Sequence, residues 1–324
     1  MLAISGGGAG GAFAVGILSA WSELGTRPTF QVVTGVSTGA LIAPFAFLGS
    51  EYDQRLRSFY LSDQARRLVD INWTGLGVFS ASLLHGDALR EMVEENVTPE
   101  ILRRIALEHR AGRRLLVMTT NLDTQRAVVW NIGAIANSGR PEALALVRQI
   151  LIASASVPGI FPPVSINTMV DGKVIEEMHS DGGSSAQFFT LPEHLIVAPD
   201  HTGEENLHIY VIINNALIPE FSMSPGKALP IIARAYAILL KSQTKQGLIA
   251  LYNFARRTGI DLDIAAIDQQ VPYSMSDPLN EAYMRTVYRI GYKKAHAGSL
   301  WNQRPRFMIS YPATCHDMRC RASY

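Results

Sequence analysis

Thr29-Phe30-Gln31-Val32-Val33-Thr34-Gly35-Val36-Ser37-Thr38-Gly39-Ala40-Leu41-Ile42-Ala43 runs from a β-branched stretch through two glycines into a second apolar stretch. Residues 29–34 read as a strand, Gly35 to Gly39 as a turn, and Ala40 to Leu48 as a helix apolar on most faces and therefore buried. Upstream, Leu2-Ala3-Ile4 is a short apolar strand that enters Ser5-Gly6-Gly7-Gly8-Ala9-Gly10-Gly11. Phe13, Val15, Ile17, Leu18 and Trp21 continue from it as a helix to Leu24-Gly25. Two strand–helix units of about 30 residues each predict parallel strands with right-handed crossovers, hence an α/β fold around a mostly parallel sheet.

Further along, 114–119 and 126–131 read as neighbouring strands joined by a polar turn, and 142–153 as a helix ended by Ser156-Val157-Pro158-Gly159. A strand over 207–213 precedes two long helical patterns, 229–256 and 279–296. With no repeat and no long linker, residues 1–324 are expected to form one domain, with its core at 2–215 and a helical part at 225–300.

Composition narrows the function. The chain is 48 % apolar and 18 % charged, and its 29 Lys+Arg nearly cancel 28 Asp+Glu. That excludes a disordered chain and argues against electrostatic nucleic-acid binding. Cys315 and Cys320, the only cysteines, make no zinc motif without further ligands; one small disulfide between them is open but not demanded. Met1 to Ser22 is uncharged, yet it holds six glycines and no basic leader region. Residues 31–50 are broken by Gly35, Gly39 and Pro44. Neither stretch reads as a transmembrane helix.

Gly35-Val36-Ser37-Thr38-Gly39 is Gly-x-Ser-x-Gly between a strand and a helix, the setting of a nucleophile elbow. Side chains flanking so tight a turn would collide, so Gly35 and Gly39 let Ser37 project its hydroxyl at a helix N-terminus, where the dipole favours negative charge. Gly6, Gly8 and Gly11 also satisfy the dinucleotide fingerprint Gly-x-Gly-x-x-Gly, which would make the chain an oxidoreductase. That reading needs an acidic residue after the second strand, and 25–50 holds no Asp or Glu. A phosphate-binding loop lacks its Gly-Lys-Ser/Thr. What remains is a loop of unobstructed backbone N–H groups aimed at an anion on the sheet edge where Ser37 sits. None of His85, His109, His179, His194, His201, His208, His296 and His316 lies in a pattern that singles it out as a base. Asp181-Gly182-Gly183 is an aspartate in a glycine turn able to approach the elbow, and Asp171-Gly172 competes for that role.

Ser-Gly-Gly-Gly-Ala-Gly-Gly (5–11), Gly-Val-Ser-Thr-Gly (35–39), Ala-Ser-Ala-Ser-Val-Pro-Gly-Ile-Phe-Pro-Pro-Val (153–164) and Asp-Gly-Gly (181–183), in that order, resemble the patatin-like phospholipases. The resemblance covers about residues 2–187, and 236–263 and 283–298 look similar to bacterial members. It implies a three-layer α/β/α fold and a cofactor-free serine hydrolase with a Ser-Asp dyad that cleaves carboxylic esters of lipids. By it, Ser37 is the nucleophile, Asp181 the base, and Gly6, Gly7, Gly8 and Gly11 form the oxyanion hole. A silent lipid-binding relative is the alternative. The resemblance also implies an exported or membrane-associated bacterial protein whose targeting segment is absent from this chain. One departure stands out: the family often carries Arg or Lys where Gly10 stands here.

Three further features carry expectations. Residues 158–163 read as a rigid buried loop or an acyl-channel wall. Arg103, Arg104, Arg110, Arg113 and Arg114 read as a solvated helix face, with anionic headgroups as the alternative contact. The helix over 238–251 reads as core rather than membrane-embedded.

Overall fold

The structure, a computed structural model, describes residues 1–61, 86–170, 172–197, 207–219, 228–273 and 280–308. Asp171, His85, His201, His316 and both cysteines lie outside the described residues. Eight strands are described: β1 (Leu2–Ile4), β2 (Val32–Val36), β3 (Arg114–Asn121), β4 (Arg126–Asn131), β5 (Val164–Val170), β6 (Lys173–Asp181), β7 (His208–Ala216) and β8 (Asp261–Ile267). The helices are α1 (Gly11–Glu23), α2 (Thr38–Leu48), α3 (Asp53–Leu61), α4 (Asp87–Asn96), α5 (Pro99–Arg110), α6 (Ile132–Asn137), α7 (Ala143–Ala155), α8 (Glu193–Val197), α9 (Ala228–Thr258) and α10 (Glu281–His296).

The strands form one sheet in the order β5-β6-β3-β2-β1-β7-β8, with β4 also paired to β3. From β3 through β8 the neighbours are parallel, while β4, β5 and β6 add antiparallel pairs. β2 begins and ends two to three residues later than the sequence pattern predicts, because Val36 still pairs with Met118; the turn into α2 is a single residue, Ser37. β8 is not anticipated at all. Asp261 and Asp263 interrupt its apolar pattern, and only the pairing with β7 reveals it.

Alternation along the strands builds two cores and three layers. Leu2 and Ile4 of β1, Ile212 of β7 and Ala265 of β8 face a large core shared with α1, α2 and α10. Ala3, Val211, Ile213, Leu262 and Ile264 face the opposite side, where Leu248, Leu251 and Phe254 of α9 cover them. Only the second half of α9 is therefore core: Ile231, Ile232, Ile238 and Leu239 in its first half are 52–65 % exposed. That corrects the expectation for residues 238–251.

Two other expectations also change. Pro158 and Gly159 are exposed, and residues 160–163 half-buried, so this is a surface loop with Phe161 turned onto the core. Within the arginine cluster, Arg113 is not solvated: buried over the Phe47 ring, it donates to the carbonyls of Phe30 and Phe47 and to Glu108. Arg103 and Arg104 meet Glu100 and Glu51, and Arg110 meets Asn137.

The helix that leaves the glycine loop is locked by α10. A Cβ on Gly16 of α1 would overlap the Tyr288 carbonyl oxygen, and one on Gly291 of α10 would press on the backbone of Phe13. Backbone-to-backbone approach this close leaves no flexible neighbour to give way. Gly16→Ala should therefore destabilise the fold by roughly 2 kcal/mol or more despite alanine's better helix propensity. Denaturant unfolding checks the sign: a neutral or stabilising effect would mean the two helices can part freely.

Candidate active site

Register brings the two singled-out residues together. β3 pairs in parallel with β2 as far as Met118 opposite Val36. One residue on, Thr119 pairs antiparallel with Asp181, the last residue of β6. Since β4 holds the other edge of β3 over 116–121, β2 and β6 approach along the same edge from opposite ends and stop head to head. Ser37 follows the end of one and Asp181 is the end of the other. The gap between them is closed by Gly182, where a Cβ would overlap the Met118 carbonyl and lie 3.1 Å from Val36 Cγ1.

Ser37 holds φ 56° and ψ −127°, a left-handed backbone for a residue with a side chain, which costs on the order of 1–3 kcal/mol. Close packing enforces it. A Cβ on Gly35 would overlap the Gly39 carbonyl, and one on Gly39 would overlap the carbonyl of Ile4; the flanking glycines are thus required by contact between β2, α2 and β1. Ser154 at the end of α7 adds a hydroxyl bridge, accepting from the Ser37 N–H at 3.0 Å and donating to the Met118 carbonyl at 2.7 Å. Ser154 is fully buried. No pattern marks it in the sequence beyond a serine closing an apolar helix.

The Ser37 hydroxyl donates to Asp181 Oδ2 at 2.5 Å, and no ring stands between them. Asp181 Oδ1 accepts from the Gly183 N–H at 2.6 Å, and its backbone is tied by Ser156 and Thr120. Ser37 is 6 % and Asp181 3 % exposed. Burial pushes the Asp181 carboxyl up to about 7, against the hydrogen bonds from Ser37 and Gly183 that favour its ionised form. Of the histidines described, none hydrogen-bonds to Ser37 or Asp181. His179, two residues before Asp181, pairs its Nδ1 with Thr119 and packs edge-on to Trp130, and burial lowers its pKa.

The glycine loop hangs on β7. Asn214 donates from its backbone to Ser5 Oγ and from its side chain to the Ser5 carbonyl, while its Oδ1 accepts from Ala14 in α1. Gln187 receives the Gly6 N–H on its carbonyl and donates its amide to Gly183, so one residue spans the loop and the Asp181 turn. Gly6 lies against Ser37, its missing Cβ 3.2 Å from Ser37 Cβ. The Gly6 N–H is thus committed, as is that of Gly11, which points back to the carbonyls of Gly8 and Ala9. Gly11 instead makes room for Thr38 and Tyr60. Gly7 and Gly8 keep N–H groups without a partner among the described residues, at φ 150° and 53°.

A sequence profile of the patatin-like phospholipases matches residues 2–190. The chain belongs to this family. Membership places it among lipid acyl hydrolases in the general sense. Comparison with curated protein sequences finds no match. Among solved structures, VipD from Legionella pneumophila is similar at 13 % identity and a TM-score of 0.47, the alignment covering 91 % of this chain and 66 % of that one. Within this patatin-like chain the Gly10 departure has a steric correlate. A Cβ there would overlap the Asn214 carbonyl, so a long basic side chain would require the end of β7 to withdraw.

Two predictions follow from this geometry. Ser154→Ala leaves the Ser37 N–H and Met118 carbonyl unpaired in a dry site and should cost about 1–3 kcal/mol of stability, read by denaturant titration; an unchanged midpoint would discount the bridge. Asp181 binds its proton more tightly folded than unfolded, so wild-type stability should fall as pH rises from about 4 to about 7 and then level off. The loss amounts to as much as about 4 kcal/mol. Asp181→Asn should remove that slope and unfold later than wild type at pH 8, which parallel melts at pH 5 and pH 8 would test.

Proposed function

We propose that this patatin-like chain hydrolyses carboxylic esters of lipids through a Ser37–Asp181 dyad without an imidazole. The observation that carries the reading is the direct 2.5 Å bond from the Ser37 hydroxyl to Asp181 Oδ2 in a buried site. A carboxylate at its ordinary pKa is a poor base for a hydroxyl, but one lifted to about 7 is a far better match near neutral pH.

The steps balance as follows. Ionised Asp181 takes the Ser37 proton as Oγ attacks the ester carbonyl, forming a tetrahedral oxyanion. The N–H groups of Gly7 and Gly8, which have no other partner among the described residues, are the donors left to serve that oxyanion; Gly6 and Gly11 shape the loop instead. Asp181 passes its proton to the departing alcohol, leaving an acyl-serine. Water then attacks with its proton going to Asp181, and the carboxylic acid leaves as the proton returns to Ser37. The left-handed backbone of Ser37 at the start of α2 keeps the hydroxyl beside the helix N-terminus throughout, where developing negative charge is favoured.

Ser37→Ala should abolish covalent labelling by a fluorophosphonate and hydrolysis of short p-nitrophenyl esters. Asp181→Asn should lower kcat/KM by roughly 10²–10⁴-fold with the fold kept. Because the base must be ionised, kcat/KM should drop about tenfold per pH unit below about 7. A wild-type chain that takes no fluorophosphonate at Ser37 would mark a silent lipid binder, and full activity in Asp181→Asn would remove the assigned base.

A further inference from the structure

Helix α9 lies beside the dyad and divides its circumference three ways. One flank meets the site: Tyr236 OH lies 3.3 Å from Ser184 Oγ, and Gln243 donates to the Ser185 carbonyl, both on the turn that follows Asp181. Burial raises the Tyr236 phenol above its ordinary pKa, the Ser184 hydrogen bond opposes this, and the nearby Asp181 charge adds to the rise. The outward face of the first half is apolar, with Ile231, Ile232, Ile238 and Leu239 each more than half exposed. Along the other border, Arg234, Lys241 and Lys245, spaced seven and four residues apart, fall in one row. All three are half-buried, Lys241 donating to the Ile218 carbonyl and Lys245 lying over the Phe307 ring, so headgroups would compete with these contacts at the rim of the face. The whole of Ala228–Thr258 holds five Lys or Arg and no Asp or Glu. No helix among the described residues is long and apolar enough to cross a membrane.

We propose that the first half of α9 docks the protein on an anionic lipid surface, with Ile231, Ile232, Ile238 and Leu239 entering the acyl boundary and the Arg234–Lys241–Lys245 row meeting the headgroups. A helix with an apolar face bordered by cations and free of carboxylates matches an interface that is apolar beneath and negative above. The other border of the same face carries the residues that touch the Asp181 turn, so docking brings the site to the headgroup level. The inference rests on the acyl-hydrolase reading for its purpose, but its test is separable.

The experiment uses the full chain as Ser37→Ala, which binds without hydrolysing, and vesicles of phosphatidylcholine with or without one-third phosphatidylglycerol. Ser37→Ala should sediment with the anionic vesicles, less with the neutral ones, and less at high salt. Adding Ile238→Ser and Leu239→Ser should weaken that binding at least roughly tenfold, and Arg234→Gln with Lys245→Gln should erase the preference for anionic vesicles. With Ser37 restored, the Ile238→Ser/Leu239→Ser pair should hydrolyse a short soluble ester as wild type does, which also reports an intact fold, while losing hydrolysis of vesicle phospholipid. Vesicle binding unchanged by both sets of substitutions overturns the docking face. So does a change in self-association without a change in vesicle binding, which would assign the face to a second copy of the chain. If vesicle binding follows the expected pattern but wild type cleaves no ester, the hydrolase reading fails and the docking face stands.

Discussion

A carboxylate buried with no cation beside it among the described residues, and bonded to a hydroxyl rather than an imidazole, sets the terms for the rest of this protein. Burial raises the Asp181 carboxyl toward neutrality, and that suits the group to the proposed role of base and makes it costly to the fold in the same degree. What keeps it soluble in the protein interior is a short list of donors, the Ser37 hydroxyl and the Gly183 N–H. Remove the dryness and the carboxylate returns to an ordinary, weakly basic state.

Holding that pair in contact is a problem of strand ends. β2 and β6 meet head to head on one edge of β3, so neither residue sits inside a ladder where its backbone would be engaged on both sides. The join tolerates no extra atoms: Gly35, Gly39 and Gly182 each lie where a Cβ would meet backbone. Ser154 and Gln187 then tie the pieces crosswise, one from Ser37 to β3, the other from the glycine loop to the aspartate turn. The strain in the Ser37 backbone persists because several elements over-determine it.

The same placement links chemistry to surroundings. The turn after Asp181 is covered by α9, whose second half is core and whose first half exposes isoleucine and leucine beside a cationic row. A hydrolase of lipids has to meet its substrate at an interface, and the proposed docking face lies on the helix that covers the turn after Asp181.

Much of this was legible from residue order. The alternation of apolar runs with glycine turns specifies parallel strands and crossover helices, since strand and helix periods are local properties of the chain. The Gly-x-Ser-x-Gly turn marks Ser37 for a steric reason that operates over five residues. Other features depend on pairs of residues far apart in sequence, and no local pattern encodes them. β8 is hidden by two aspartates until β7 lies beside it, and Ser154 looks like any serine until its hydroxyl is found under the elbow. Asp181 and Asp171 each precede a glycine in the sequence; Asp181 meets Ser37 because the antiparallel return of β6 ends where β2 ends. The division of the glycine loop into committed N–H groups at Gly6 and Gly11 and ones at Gly7 and Gly8 without a partner among the described residues also belongs to the tertiary structure, because hydrogen-bond commitment follows from which carbonyls the fold brings within reach.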